Sequence, residues 1–97
     1  MKIPEKFIIN HHEITVKYEE DLVDRFGYYD PVDLSIHLGK SVISDSGKSV
    51  NLTEVQINNT YLHELIHVFQ HMSGMEYDEV QAQTFANFLY DYFLNNE

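Results

Sequence analysis

Two histidines stand four residues apart in the second half of the sequence, in the segment His63 to His67, which reads HELIH. Residues at this spacing lie one above the other on a helix face, about 6 Å apart along the axis. Both imidazoles can then reach a single ion, because nitrogen ligands sit only about 2.0–2.1 Å from a bound zinc. The spacing predicts that His63 and His67 bind one metal ion.

A carboxylate accompanies this pair. Glu64 follows the first histidine directly and is rotated off the line of the two imidazoles, so it can address a water molecule at the metal. The order His, Glu, two residues, His is the H-E-x-x-H pattern typical of zinc metalloproteases, with the glutamate as general base. The alternative is a pair of hydrogen-bonded core histidines, a role that does not require Glu64.

A catalytic zinc usually has three protein ligands and one open position, so a third ligand is expected. Glu79 is the best candidate. It begins a predicted helix, and the positions stacked above it form an apolar stripe in which a lone carboxylate needs a partner. That stripe consists of Ala82, Ala86, Leu89 and Phe93. Other residues that remain candidates for this ligand are Glu76, Asp78 and His71.

Two helices are predicted to position these residues. Thr53 and Gln56 form a capping-box pattern and Gly74 suits a helix end, which predicts an active-site helix over residues 52–73. Asp78 is the expected N-cap of a second helix over residues 78–95. The first helix carries an apolar stripe beside its histidines, so we expect it to be largely buried.

The first part of the chain, residues 1–43, has the shorter period of β-strands. Strands are predicted at 7–9, 14–18, 25–29 and 34–38, with turns at 10–12 and 30–33 and a polar loop at 44–49. The expected architecture is a single α+β domain over residues 1–97. It consists of a small antiparallel sheet of three to four strands followed by the two helices.

Composition narrows the function classes. The 97 residues include no cysteine, which excludes a disulfide or a cysteine-ligated metal, and the length excludes a two-domain enzyme. A formal net charge of −10 argues against direct binding to nucleic acid or an anionic membrane. No segment resembles a signal peptide or a transmembrane helix, so a cytoplasmic protein is expected.

The motifs resemble those of the ImmA/IrrE-type, gluzincin-like metallopeptidases, many of which are bacterial or phage-encoded. The matching segments are His63 to His67 and Glu79 to Ala86, whose sequence EVQAQTFA is similar to the family's E-x-x-A-x-x-F-A segment. The resemblance implies one Zn²⁺ per chain bound by His63, His67 and Glu79, with Glu64 as the general base. It also implies the minimal core of a zincin-like fold.

The expected function is therefore hydrolysis of a protein or peptide substrate, with Glu64 taking a proton from a zinc-activated water. The substrate is expected to lie along an exposed strand edge. Candidate donors to the oxyanion are Tyr77, His71, Tyr28 and Tyr29. The alternative is a non-catalytic acidic interaction protein, or a pseudo-peptidase, whose metal site is structural or vestigial.

Overall fold

The chain begins with a tight hairpin. In the computed structural model, which describes residues 1–97, β1 (Lys6–Ile9) pairs antiparallel with β2 (His12–Glu19). Asn10 and His11 connect them with φ angles of 51° and 65°, as a two-residue turn between twisted strands requires. In β2, Ile14 and Val16 are buried and Glu13 is exposed, as the β-strand period predicts, but Tyr18 is 44% exposed, so the alternation does not extend to the end of the predicted strand.

A second hairpin joins β3 (Gly27–Asp30) to β4 (Ser35–Gly39). The carboxylate of Asp30 accepts hydrogen bonds from the backbone N–H groups of Val32 and Asp33, at 2.9 and 3.2 Å, and so closes the predicted turn. The first strand of the pair begins at Gly27 and not at Arg25.

These strands form one sheet in the order β1-β2-β4-β3. The expectation of an antiparallel sheet is wrong for one pair, because β2 and β4 run parallel. The cause is the burial of β4, in which Ser35, Ile36, Leu38 and Gly39 are all buried. A strand buried on both faces belongs in the interior of a sheet, so β4 lies between β2 and β3 and leaves β3 at the edge.

A small additional hairpin, not predicted from the sequence, precedes the helices. It pairs β5 (Ser41–Ile43) with β6 (Ser49–Asn51), and Ser49 therefore belongs to a strand and not to the predicted loop. All three residues of β6 are exposed, so the strand shows no alternation of buried and exposed positions for sequence analysis to detect.

Two helices complete the fold, and the predicted α+β class is confirmed. The first, α1 (Glu54–Met72), has Thr53 as its N-cap in a complete capping box. The chain reverses at Gly74, whose φ angle is 70°, and α2 (Glu79–Asn96) begins after the N-cap Asp78. Neither helix combines the length and the apolar character that crossing a membrane requires.

The elements pack in three layers, with α1 between the sheet and α2. One face of α1 contacts β3 and β4 and another contacts α2, which explains why so much of this helix is buried. The shared core consists of Ile14, Val16, Tyr29, Ile36, Leu38, Tyr61, Leu62, Val68, Ala86 and Tyr90. The sheet therefore presses α1, and the two histidines on it, against α2.

Gly27 sets how closely β3 approaches α1. A Cβ atom at this position would lie 2.6 Å from the backbone oxygen of His37 and 2.7 Å from the Cγ2 atom of Thr60. We expect Gly27→Ala to lower the free energy of unfolding by about 1–3 kcal/mol, because β3 must move away from both neighbours. Urea denaturation followed by circular dichroism measures this change. Val32→Ala, at a position that is 94% exposed, is the control and should change it by less than about 0.5 kcal/mol.

Candidate metal centre

The two histidines of α1 point toward α2 and converge at their outer ring nitrogens. The Nε2 atoms of His63 and His67 are 3.2 Å apart, and the ring centroids are 4.8 Å apart. His67 is buried, with 4% of its side chain exposed, whereas 16% of the His63 side chain is exposed. The pair therefore lies at the boundary between the interior and solvent.

Glu79 meets both histidines from the first turn of α2. Its Oε1 atom is 2.8 Å from Nε2 of His67, and its Oε2 atom is 3.0 Å from Nε2 of His63. The short connection through Gly74 is sufficient to bring this carboxylate back over α1. The three predicted ligands are thus adjacent, and the carboxylate remains accessible because 73% of its side chain is exposed.

Two glutamine side chains fix the orientation of the imidazoles. The Oε1 atom of Gln70 is 2.7 Å from Nδ1 of His67, and the Oε1 atom of Gln83 is 2.9 Å from Nδ1 of His63. Both amide nitrogens already donate elsewhere, that of Gln70 to Gln81 and that of Gln83 to Asn59. Each Oε1 atom must therefore be an acceptor, so each histidine donates through its Nδ1–H group.

With Nδ1 engaged in this way, the Nε2 atoms of both imidazoles are directed toward each other and toward the carboxylate of Glu79, as potential acceptors. Such a set of acceptors attracts a cation, and its spacing fits zinc. Tetrahedral ligand atoms at 2.0–2.1 Å from zinc are about 3.3 Å apart. Here the two Nε2 atoms are 3.2 Å apart, and each lies 2.8 or 3.0 Å from one oxygen of the Glu79 carboxylate. The residues present therefore fit a zinc ion with an open fourth position.

Glu64 lies beside this set and is not part of it. It is buried, with 7% of the residue exposed, and lies beside the backbone of Tyr29 on β3. Burial raises the pKa of Glu64 to about 7, against the opposing effects of the nearby His67 and of the Tyr29 backbone, which lower it. A carboxyl group with a pKa near neutrality is suited both to accept and to donate a proton.

A cleft of about 460 Å³ opens between β3 and the two helices at this point. His63, Glu64 and Glu79 line one part of it, and Phe26 and Gly27 contribute the edge of the sheet. The rest of the lining consists of Val55, Gln56, Asn59, Thr60 and Gln83. The cleft gives a ligand access to the predicted metal ligands and to the edge strand together.

Of the four candidate donors to the oxyanion, Tyr77 has the most suitable environment. Its ring stacks on His67, with centroids 4.7 Å apart, and its hydroxyl group has no hydrogen-bond partner in the protein. Burial and the nearby Glu64 carboxylate raise its pKa, which keeps the hydroxyl protonated. The other three are engaged: Tyr29 is hydrogen-bonded to His71 at 2.9 Å, and Tyr28 donates to Glu19 at 3.0 Å.

The weaker ligand candidates have other roles or no role at the cluster. His71 contacts Tyr29 as described, and Asp78 caps α2 by accepting from the N–H of Gln81. Glu76 is exposed and makes no ion pair with Lys, Arg or His. The structure therefore brings Glu79, and none of its rivals, into contact with both histidines.

A second polar cluster lies on the sheet and was not found from the sequence. The imidazole of His37 joins Glu19, at 2.6 Å from Nδ1, to the hydroxyl of Ser35, at 2.8 Å from Nε2, and Ser35 donates to Asp33. Serine, histidine and glutamate in this order resemble a nucleophilic triad, but Ser35 is completely buried. The chain of hydrogen bonds instead ties β2 to β4 and to the turn after β3.

No protein-family model, curated protein or solved structure matches this chain. The function must therefore be argued from the site itself.

A substitution at Gln70 tests whether its hydrogen bond to His67 orients that imidazole for metal binding. We expect Gln70→Leu to weaken zinc binding by about 10- to 100-fold, because His67 loses the acceptor that holds its Nδ1–H group. Competition with a chelator of known affinity measures this change. The matched control is Gln81→Leu, which removes one partner of Gln70 but leaves the bond to His67 in place. Equal losses in the two variants would show that Gln70 acts only through the packing of the loop.

Proposed function

We propose that this chain is a small zinc-dependent metallopeptidase of the gluzincin type, similar to the ImmA/IrrE-type enzymes. The observation that carries the proposal is the convergence of two imidazole Nε2 atoms and the Glu79 carboxylate, at 2.8 to 3.2 Å, beside a buried carboxyl group at Glu64. A structural metal site requires only the convergence of the imidazoles and the carboxylate. The buried carboxyl group of Glu64 is the additional group that peptide hydrolysis needs as a proton carrier.

His63, His67 and Glu79 would hold the zinc ion. When bound, zinc supplies Lewis-acid chemistry, since it makes water more acidic and polarises the scissile carbonyl. Glu64 takes the proton from the attacking water and delivers it to the leaving amine, which its raised pKa of about 7 favours at neutral pH. Tyr77 donates its free hydroxyl to the oxygen that becomes negatively charged.

The edge of β3 offers the backbone groups that hold an extended substrate. The N–H of Gly39 donates to the carbonyl of Phe26, so alternation directs the N–H and C=O groups of Gly27 away from β4 and toward the cleft. A peptide paired with Gly27 would form an additional strand of the sheet. Its carbonyl groups would then pass close to His63, Glu64 and Glu79, which line the same cleft.

The direct test is to incubate the zinc-loaded protein with an unfolded protein substrate and to identify new peptide termini by mass spectrometry. We expect cleavage that a zinc chelator stops and that added zinc restores. Cleavage that continues in the presence of the chelator would point to a contaminating enzyme and would contradict the proposal.

Tyr77→Phe tests the assignment of the oxyanion donor. We expect kcat to fall by about 100-fold with little change in KM, since the hydroxyl acts on charge that develops only in the transition state. The phenylalanine ring retains the stacking on His67, so zinc content should not change. Steady-state kinetics give both constants. Tyr92→Phe, on the exposed part of α2, is the control, and an equal loss in both variants would refute the assignment.

A second candidate function is a non-catalytic acidic interaction protein. It is favoured by a stripe of exposed aromatic residues on the side of α2 that faces away from α1. Phe85, Phe88 and Tyr92 form this stripe and are 49%, 68% and 54% exposed. This candidate predicts that Glu64→Gln leaves the biological function intact, whereas the peptidase proposal predicts that the function is lost.

A further inference from the structure

The charges of this protein are distributed unevenly along the chain. All six Lys and Arg residues lie between Lys2 and Lys48, whereas residues 49–97 contain seven Asp and Glu residues and no Lys or Arg. This second segment includes α1, α2 and the loop between them. The helical wall of the cleft therefore contains acidic residues and no Lys or Arg.

The acidic residues that flank the cleft have no cationic partners. Glu54 precedes the cleft-lining Val55, and Glu76 and Asp78 precede Glu79. None of the three is within ion-pair distance of Lys, Arg or His. A bound zinc ion would change the formal net charge of −10 by only two, so the surroundings of the cleft remain negative.

The edge strand adds acidic groups on its side of the cleft. Asp24 lies three residues before Gly27, and Asp30 ends β3. Neither forms an ion pair, and Asp30 accepts only backbone N–H groups. Asp33 differs, since Lys17 neutralises it at 2.9 Å. Arg25 lies between these positions in sequence, with its guanidinium group 4.9 Å from the centroid of the Tyr28 ring. Its charge opposes the rise in pKa that burial causes at Glu64, so it offsets part of the negative charge at the cleft, where the unpaired acids outnumber it.

We propose that the cleft takes cationic peptide segments, with Lys or Arg within about three residues of the scissile bond. Three residues of extended chain span about 10 Å. Within that distance, a peptide paired with Gly27 would pass the acidic residues at both ends of β3. At low ionic strength the Debye length equals or exceeds this span of about 10 Å, so the unpaired acids together attract a cationic substrate. The inference rests on the proposed peptidase function and specifies its substrate class.

Binding can be measured separately from turnover with the zinc-loaded Glu64→Gln variant. The probes are two fluorescent peptides of identical sequence except that the flanking residues are Lys in one and Glu in the other. We expect fluorescence anisotropy to show that the Lys peptide binds at least about tenfold more tightly at low salt. The ratio should decrease severalfold at about 0.3 M salt. Equal affinities, or no binding of either peptide, would overturn the inference.

Two charge variants of the same Glu64→Gln protein distinguish a local effect from net charge. Asp24→Asn with Asp30→Asn removes two acids beside β3 and retains the amide oxygen that the turn needs. Glu13→Gln with Asp45→Asn removes two exposed acids elsewhere, one in β2 and one in the turn between β5 and β6. We expect only the first pair to reduce the preference severalfold, and an equal reduction in both would contradict a role of the cleft.

Turnover by the wild-type protein separates the two proposals. If the Lys peptide binds preferentially but is never cleaved, the peptidase function fails and the charge preference stands. If both peptides are cleaved with equal kcat/KM, the peptidase function stands and the substrate class fails.

Discussion

Replacing Glu64 with Gln should reduce kcat/KM for peptide hydrolysis by about 10² to 10⁴-fold, the usual contribution of a positioned general base. Glutamine has nearly the same shape but cannot take a proton from water. Glu64 is not one of the three converging ligands, so the variant should bind zinc as the wild-type protein does. Initial rates on one fluorogenic peptide, with zinc content measured on the same samples, determine both quantities.

A carboxylate remote from the cleft provides the control for this experiment. Glu13→Gln removes an exposed acid from β2, away from the histidines and from the acids that flank the cleft, and should leave the rate within about twofold. Full activity in Glu64→Gln would eliminate the base role and would favour the non-catalytic interaction protein. Loss of zinc along with activity would instead show that Glu64 supports the ligands.

Zinc should stabilise this protein strongly. A ligand at 1,000 times its dissociation constant contributes about 4 kcal/mol to the free energy of unfolding when it binds only the folded state. For a domain of about 100 residues this corresponds to an increase in Tm of at least about 15 °C. A small domain without disulfides is especially sensitive to such a contribution. Differential scanning calorimetry of chelator-treated protein, with and without added zinc, measures the increase.

The shift in Tm, and not Tm itself, is the quantity to compare among variants. His67 is buried, so His67→Ala will lower the starting stability as well as remove a ligand. We expect this variant to show almost no increase with zinc. His12→Ala, in the exposed first hairpin, should retain the whole increase. A similar increase in His67→Ala would mean that zinc binds elsewhere or without specificity.

Local signals allowed the helices and the convergence of His63, His67 and Glu79 to be predicted. The capping groups of both helices are close in sequence to the helix ends they define, so Thr53, Gly74 and Asp78 could be identified without knowledge of the fold. Glu79 could be expected beside the histidines because a carboxylate on the apolar stripe of α2 would need a partner. The contact is present, but 73% of the Glu79 side chain is exposed, so its place at the start of α2 accounts for the contact and burial of the carboxylate does not. The geometry of His63 and His67 follows from the helix alone.

Features that depend on contacts between distant segments could not be predicted. The roles of Gln70 and Gln83 arise only when α2 packs on α1. The amide of Gln70 on α1 is fixed by Asp78 and Gln81, and the amide of Gln83 on α2 is fixed in part by Asn59 on α1. The parallel pairing of β2 with β4 depends on the order of strands in space, whereas alternation specifies only which side chains are buried. The same limit applies to β3, whose edge position became apparent only from the assembled sheet.

The most direct test of the central claim is the metal content of the protein, purified without a chelator or a histidine tag and measured by elemental mass spectrometry. The convergence of His63, His67 and Glu79 predicts close to one zinc per chain, lost in His67→Ala and in Glu79→Gln. Protein that contains no zinc and takes up none when zinc is supplied would contradict the proposed metal site and, with it, the peptidase function.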